Sequence, residues 1–305
     1  GVWLSQSIHE AAYWLTFLWS AGGDVLQHEP LTDSWRAVYN GSEAATALDF
    51  YTRLCTESWT DAQGRRRRGY AWRDSSTAGT KWNLGEIAMQ FAYIDEKLFS
   101  EINPDVTGMA PVPLGPTGIR GAELNSRMMG LFAGIEDPAV RDAAWEYIRF
   151  YDSEEAVRIK TRILVEGGLG RFVNPRLLKL GGYEEVIRLS PKGWAECFQV
   201  ATDSGRPEPY ARNCNAIYDI MTEPIREARE LALAGGLPRE DAPRLGILQE
   251  MLARSAAKAN ENMLGIVSPN VLSLRRATAA GALLCIASAF FLLFLLAGWA
   301  YGRAT

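Results

Sequence analysis

Several aromatic residues stand at segment ends instead of on core-facing stripes, and Tyr13, Trp14, Trp19, Tyr93, Tyr210 and Tyr218 could serve as flat platforms. They come from an unusual supply of ten Trp, eleven Tyr and eleven Phe. Sugars present apolar C–H faces and rings of hydroxyls, so a site for them wants flat aromatic platforms with amide, carboxylate and guanidinium partners. The competing role for any one of these rings is a core or hinge aromatic. Other chemistries lack their residues. There is no GxxxxGK[ST] phosphate loop, no GxSxG elbow and no HExxH pair, and EGGLGR lacks the third glycine of a dinucleotide fingerprint. Two histidines and four widely spaced cysteines without a CxxC leave no zinc or thioredoxin-like signature. The sequence implies no cofactor and no metal. Adjacent carboxylates such as Glu154-Glu155 fit a solvent-facing helix surface better than a glycosidase pair.

The chain has 305 residues, 48% of them hydrophobic and 22% charged, with a net charge of −4. Those values describe a globular protein of about two domains and exclude disorder. The acidity speaks against a nucleic-acid partner, and the four arginines at 65–68 read as part of a solvated loop over 60–80.

Several elements must position the aromatics. The apolar run AAYWLTFLWSAGG predicts a helix ended by Gly22-Gly23. A second helix opens at Asn40-Gly41-Ser42, with Ala44, Ala47, Leu48, Tyr51 and Cys55 at helical spacing. Residues 87–94 and 128–135 read as short apolar strands. The three prolines in 110–118 exclude a helix there. Asp137-Pro138 caps another helix, and Asp152 with Glu155 has capping-box spacing. A glycine-rich connection spans 165–182, and amphipathic helices fill 215–265. Alternating strands and helices indicate an α/β class.

Residues 278–302 carry no charge. A bilayer core of about 30 Å needs about 20 apolar residues in a helix, so this run predicts a membrane span with lipid as its partner. Trp299 and Tyr301 stand where an aromatic belt would be, and Arg275, Arg276 and Arg303 flank the run.

In order and spacing, WLTFLWSAGGDV (14–25), GEIAM (85–89), APVPLGPTG (110–118), LFAGIEDPAVRDAAWEYIRF (131–150), EGGLGRFVNP (166–175) and PEPYARN with AIYDI (207–220) are similar to one known family. The sequence resembles the extracellular (family 1) solute-binding proteins of carbohydrate ABC transporters, the group that includes maltose-binding protein. The resemblance implies a periplasmic-binding-protein type II fold of two hinged α/β lobes that close over a ligand. It also implies a sugar or oligosaccharide ligand, ABC permease subunits and, indirectly, an ATPase subunit as partners, and no enzymatic activity. Three departures stand out. Roughly the first third of such a protein has no counterpart, Phe91-Ala92-Tyr93-Ile94-Asp95 replaces a frequent Gly-x-Trp, and a membrane helix follows the soluble part. The expected organisation is a partial solute-binding domain over 1–268, a linker over 269–277 and a transmembrane helix over 278–302.

Carried over one position at a time, the resemblance implies that Glu10 and Tyr13 hold sugar as a carboxylate and an aromatic, with Trp14 as the alternative to Tyr13. Tyr93 and Asp95 bracket the place of the family's stacking tryptophan. Gly170 and Arg171 lie in a connection that faces the cleft in relatives, and Tyr210, Asn213 and Tyr218 fall on its last cleft-lining segment. Expected placement is at the cell membrane, with the binding domain outside. The two arginines before the helix vote the other way under the positive-inside rule. A membrane-anchored sensing domain and a carbohydrate-active enzyme are the competing functions.

Overall fold

The structure, a computed structural model, describes residues 2–4, 10–72, 75–93, 103, 105–125, 128–190, 193–266 and 269–304. Helices dominate, and strands are short. Strand β1 (Val2–Trp3) pairs in parallel with both β6 (Ala71–Trp72) and β7 (Met89–Gln90), giving the order β6-β1-β7. Parallel strands joined through helices make this an α/β arrangement. Two antiparallel hairpins accompany it: β2 (Leu26–Glu29) with β3 (Ser34–Ala37), and β4 (Ser58–Thr60) with β5 (Arg66–Arg68).

The core lies among four helices: α1 (Glu10–Ser20), α2 (Ser42–Thr56), α9 (Ile217–Leu233) and α10 (Asp241–Asn262). Trp14, Trp19, Leu15, Leu18, Tyr51, Ile217 and Met221 fill it without exposure. Periodicity places these residues inward, and burying each large side chain contributes roughly 1.5–3 kcal/mol. Helix α1 stops where expected, at a turn in which Gly22 takes a φ of +90° that favours glycine.

Polar links lock the four helices in register. Glu10, 1% exposed, forms an ion pair with Arg229 of α9 and accepts a 2.6 Å hydrogen bond from the Tyr51 hydroxyl of α2. The Ala11 N–H donates to Thr222 Oγ1 at 3.2 Å, filling one of the open amides at the start of α1. Arg244 of α10 grips Asp49 of α2 with two bonds of 2.6 and 3.2 Å. Tyr39 meets Ser255 at 3.0 Å, and Ser255 donates to the Ile220 carbonyl.

Several sequence expectations change. Residues 60–80 are not one loop: they hold β5, β6 and the start of α3 (Ser75–Asn83). Asp61 makes this possible, because its carboxylate takes both Arg65 and Arg67 at 2.9 Å and so neutralises part of the arginine run. Only Met89–Gln90 of the expected 87–94 strand is a strand, and Ile94 is outside the described residues. Residues 128–135 are irregular and exposed, with Met128 89% and Phe132 77% open, because no strand among the described residues pairs with them. Helix α4 (Pro138–Tyr151) begins as expected, its Asp137 side chain accepting from the Ala139 N–H, yet it buries none of its residues. Helix α5 (Glu154–Glu166) is capped by Ser153, whose hydroxyl accepts from Ala156 N–H, while Asp152 closes α4 instead. The glycine-rich connection contains a 3-10 turn at Gly170–Phe172 and helix α6 (Pro175–Gly181), followed by α7 (Glu184–Ile187) and α8 (Trp194–Ser204).

The C-terminal helix α11 runs Pro269–Ala304, so the residues expected as a linker are helical. One stretch of it, Asn270–Phe294, is long and apolar enough to cross a membrane, with a mean hydropathy of 2.2 and no buried residue. The side chains of Trp299 and Tyr301 are outside the described residues.

The Glu10–Arg229 pair generates a stability prediction. Glu10→Ala should leave a buried guanidinium without its carboxylate and lower stability by about 3–5 kcal/mol, whereas Glu10→Leu with Arg229→Leu should recover most of that loss. Urea unfolding followed by tryptophan fluorescence checks both variants. A single mutant as stable as the native chain would show that the pair does not hold the helices.

Candidate functional site

Two tyrosine–glutamate pairs come together beside α1. The Tyr93 hydroxyl donates to Glu123 Oε2 at 2.5 Å, and the Tyr218 hydroxyl donates to Glu208 Oε1 at 2.8 Å. The four groups sense one another electrostatically, and Tyr13 lies within reach of Tyr93. A second aromatic group involves Tyr210, two residues beyond Glu208 in the chain. Tyr210 sets its edge against Trp35 of β3 at 5.1 Å between ring centres, and Trp35 stacks on His28 of β2 at 4.6 Å.

Local backbone geometry explains how distant residues meet here. The proline-rich 110–118 segment folds back on α1, where Thr117 Oγ1 donates to the Ser20 carbonyl at 3.0 Å. The approach is so close that a Cβ on Gly115 would sit 2.0 Å from Ser20 O, and one on Gly121 would sit 2.1 Å from Thr16 O. Only glycine fits at either position. The chain then pairs with the 205–218 segment: Arg206 N–H donates to Ala122 O at 2.9 Å and Leu124 N–H to Arg206 O at 2.8 Å. Glu123 and Arg206 form a parallel bridge, and Glu208 follows two residues later.

Burial raises the Glu123 carboxyl above its ordinary value, the nearby Glu208 adds to this, and the Tyr93 hydrogen bond opposes it. Burial and the facing carboxylates push the Tyr93 and Tyr218 phenols up as well, so both stay protonated donors. Glu123 Oε1 is enclosed and has no hydrogen-bond partner among the described residues.

Some expected site residues meet here and others do not. Tyr13, Tyr93 and Tyr218 lie in or beside the cluster, and Tyr210, two residues beyond Glu208, packs on Trp35. Trp14 does not, because it points into the core with no exposure. Glu10 is also a correction: its carboxylate is buried and already engaged by Arg229 and Tyr51, so it presents no oxygen to an outside ligand. Asn213 takes a left-handed φ of 56° and donates from Nδ2 to the Met263 carbonyl at 3.1 Å, tying the site-bearing segment to the end of α10. Arg171 lies in the 3-10 turn with its guanidinium over the Phe172 ring at 5.3 Å. Asp95 is outside the described residues. Glu123, Glu208 and Trp35 went unnoticed in the sequence, although Glu208 stands inside the PEPYARN stretch.

Two shallow grooves exist elsewhere. One of about 510 Å³ runs along Glu223, Arg226 and Glu230, and one of about 390 Å³ lies between residues 129–135 and α4. Neither takes in a residue of the tyrosine–glutamate cluster, whose convergent polar groups make it the better site. Among the described residues no three His, Cys, Asp or Glu side chains gather to hold a metal.

No family model and no curated protein matches the chain. Among solved structures, the maltose-bound MalE3 of T. maritima is similar at 18% identity with a TM-score of 0.49, over 84% of this chain. The chain spans 59% of that protein's length.

The raised Glu123 carboxyl has a consequence for pH dependence. A carboxyl whose value in the fold lies above its ordinary 4.5 favours folding in its protonated form, and that contribution is lost as pH rises through the raised value. Glu123→Gln should remove the loss. Thermal midpoints of the native chain should fall progressively behind those of the variant as pH rises above the ordinary carboxyl value of 4.5. Parallel curves would show that Glu123 ionises as it does in the unfolded chain.

Proposed function

We propose that the chain is a carbohydrate-binding component of an ABC import system, held at a membrane by α11. The observation that carries this reading is the meeting of Tyr93, Tyr218, Glu123 and Glu208 beside Tyr13, on a chain segment whose Tyr210 packs edge-on against Trp35. Aromatic faces bury sugar C–H surfaces, and carboxylate oxygens accept from hydroxyls. The order and spacing of the six family-like motifs support the same reading. The partners would be a sugar or oligosaccharide, permease subunits, an ATPase reached through them, and membrane lipid around Asn270–Phe294. In this reading the binding domain faces the periplasm or cell exterior.

A sensing domain that signals through its helix is the second reading. It is favoured by the route from site to anchor. Asn213 holds the Met263 carbonyl, Asn260 Oδ1 accepts from the Ala37 N–H at 2.8 Å close to Trp35, and Glu261 pairs with Arg275 of α11.

Titration of the chain with an oligosaccharide panel should quench or shift tryptophan fluorescence through Trp35. Tyr93→Ala and Tyr210→Ala should each weaken binding by about 1–3 kcal/mol, while Arg65→Ala, engaged with Asp61, should change it little. Equal effects at all three positions, or none at the tyrosines, would place the site elsewhere. In fractionation the full chain should follow membranes and resist carbonate, and deletion of 270–294 should release it. Release of the intact chain by carbonate would remove the anchor.

A further inference from the structure

We propose that the β4–β5 hairpin is a binding site for an acidic oligosaccharide, one that carries carboxylate or sulfate groups. The inference rests on the carbohydrate reading above and adds a ligand class to it.

The hairpin concentrates positive charge. Arg65, Arg66, Arg67 and Arg68 stand against a single aspartate, Asp61, so residues 61–68 carry a net +3 in a chain of −4. Asp61 holds two of the guanidiniums in place. Its Oδ1 accepts from the backbone N–H groups of Gln63 and Arg65 at 3.0 and 2.9 Å, and its Oδ2 takes Nε of both Arg65 and Arg67 at 2.9 Å. Because Nε is the nitrogen engaged, Arg67 keeps its terminal nitrogens without an acceptor among the described residues, and Arg65 gives one of its pair to Gln63. The two side chains are 62% and 46% exposed, so a ligand reaches them. Arg66 is exposed as well and pairs with no carboxylate among the described residues. Guanidiniums held in this way match the paired oxygens of a carboxylate or a sulfate.

An aromatic pair stands on the same face. Trp59 lies opposite Arg67 in the strand register, and directly opposed residues share a face of the hairpin. Its indole donates to the Gly69 carbonyl at 2.9 Å and stacks on the exposed Tyr70 at 5.6 Å between ring centres. Charged donors beside aromatic rings suit a sugar acid, which offers both an anionic group and C–H surface.

Extended polyanions fit less well. Outside residues 61–68 the chain sums to −7, a field that repels a nucleic-acid backbone running past the hairpin. A bilayer surface is also disfavoured. Arg68 donates to the Ala232 carbonyl in the last turn of α9. Helix α9 runs antiparallel to α10, as Glu223 meets Lys258 and Glu227 meets Arg254. The hairpin is therefore fixed at the end of the core opposite to the one that leads into α11. A short acidic oligosaccharide engages the hairpin alone.

Calorimetry of the full chain in detergent at low ionic strength tests the proposal with matched ligands. Pentamers of galacturonic acid are compared with their methyl esters, which keep the sugar skeleton and remove the charge. Sulfated and plain dextran pentamers form the second pair, so carboxylate and sulfate ligands are read separately. In at least one pair the acidic member should bind about tenfold or more tighter than its neutral twin. That preference should be lost in Arg66→Glu and in the Arg65→Ala/Arg67→Ala double variant, and it should shrink at about 0.5 M salt as screening grows. Neutral oligosaccharides should bind these variants as they bind the native chain. Equal affinity within both pairs overturns the inference and leaves the carbohydrate reading standing, whereas heat from no sugar overturns both. A short DNA duplex or a short-chain phosphatidylglycerol that binds tighter than either acidic pentamer also overturns the inference. If the double variant fails to fold because Asp61 loses its partners, Arg66→Glu and the salt series decide, and a preference unmoved by either contradicts the proposal.

Discussion

One buried ion pair ties together the parts that matter. Glu10 opens α1, Arg229 lies on α9, and the Tyr51 hydroxyl of α2 completes the contact. Arg229 is 6% exposed and Glu10 is 1% exposed, so each charge depends on the other for compensation that water would otherwise supply. Such a contact is a weak source of net stability and a strong constraint on geometry. It sets how α1 meets α9, and those two helices carry Tyr13 and Tyr218.

From that constraint the site follows by steps. Helix α1 offers its C-terminal half to the proline-rich segment, and Gly115 and Gly121 let the two backbones approach as no larger residue would. The segment delivers Glu123 alongside residues 205–210, and the same stretch delivers Glu208 and Tyr210. The chain thus assembles polar groups from five places in sequence over a core made by four helices. The β2–β3 hairpin sets Trp35 against Tyr210, and it is joined to the end of α10 through Asn260.

The helices were largely legible in the sequence, because α1, α2, α4, α9 and α10 have apolar spacing and recognisable ends. The partners of charged residues were not. Glu10 looks like a free carboxylate until Arg229, 219 residues away, is seen against it. Trp14 looks like a platform, but helical periodicity also puts it on the same face as Leu18, and burial wins. The strand expected at 128–135 shows the limit of apolar composition, since a strand exists only where a neighbour accepts its hydrogen bonds. Glu123 and Glu208 carry no local pattern, and only the close packing around Gly115 and Gly121 brings them together. The arginines at 65–68 would have been hard to place as a strand without Asp61, whose carboxylate satisfies two of them.

The central claim is that ligand meets the protein at the tyrosine–glutamate cluster, on the segment that carries Glu208 and Tyr210, whose ring packs against Trp35. Fluorine NMR of the chain labelled with 5-fluorotryptophan tests it directly, with each resonance assigned by single substitution. Addition of a saccharide that binds should shift the Trp35 resonance and leave Trp194, packed against Phe172 and Phe198 in a separate cluster, unmoved. A shift at Trp194 with Trp35 unchanged would contradict the account.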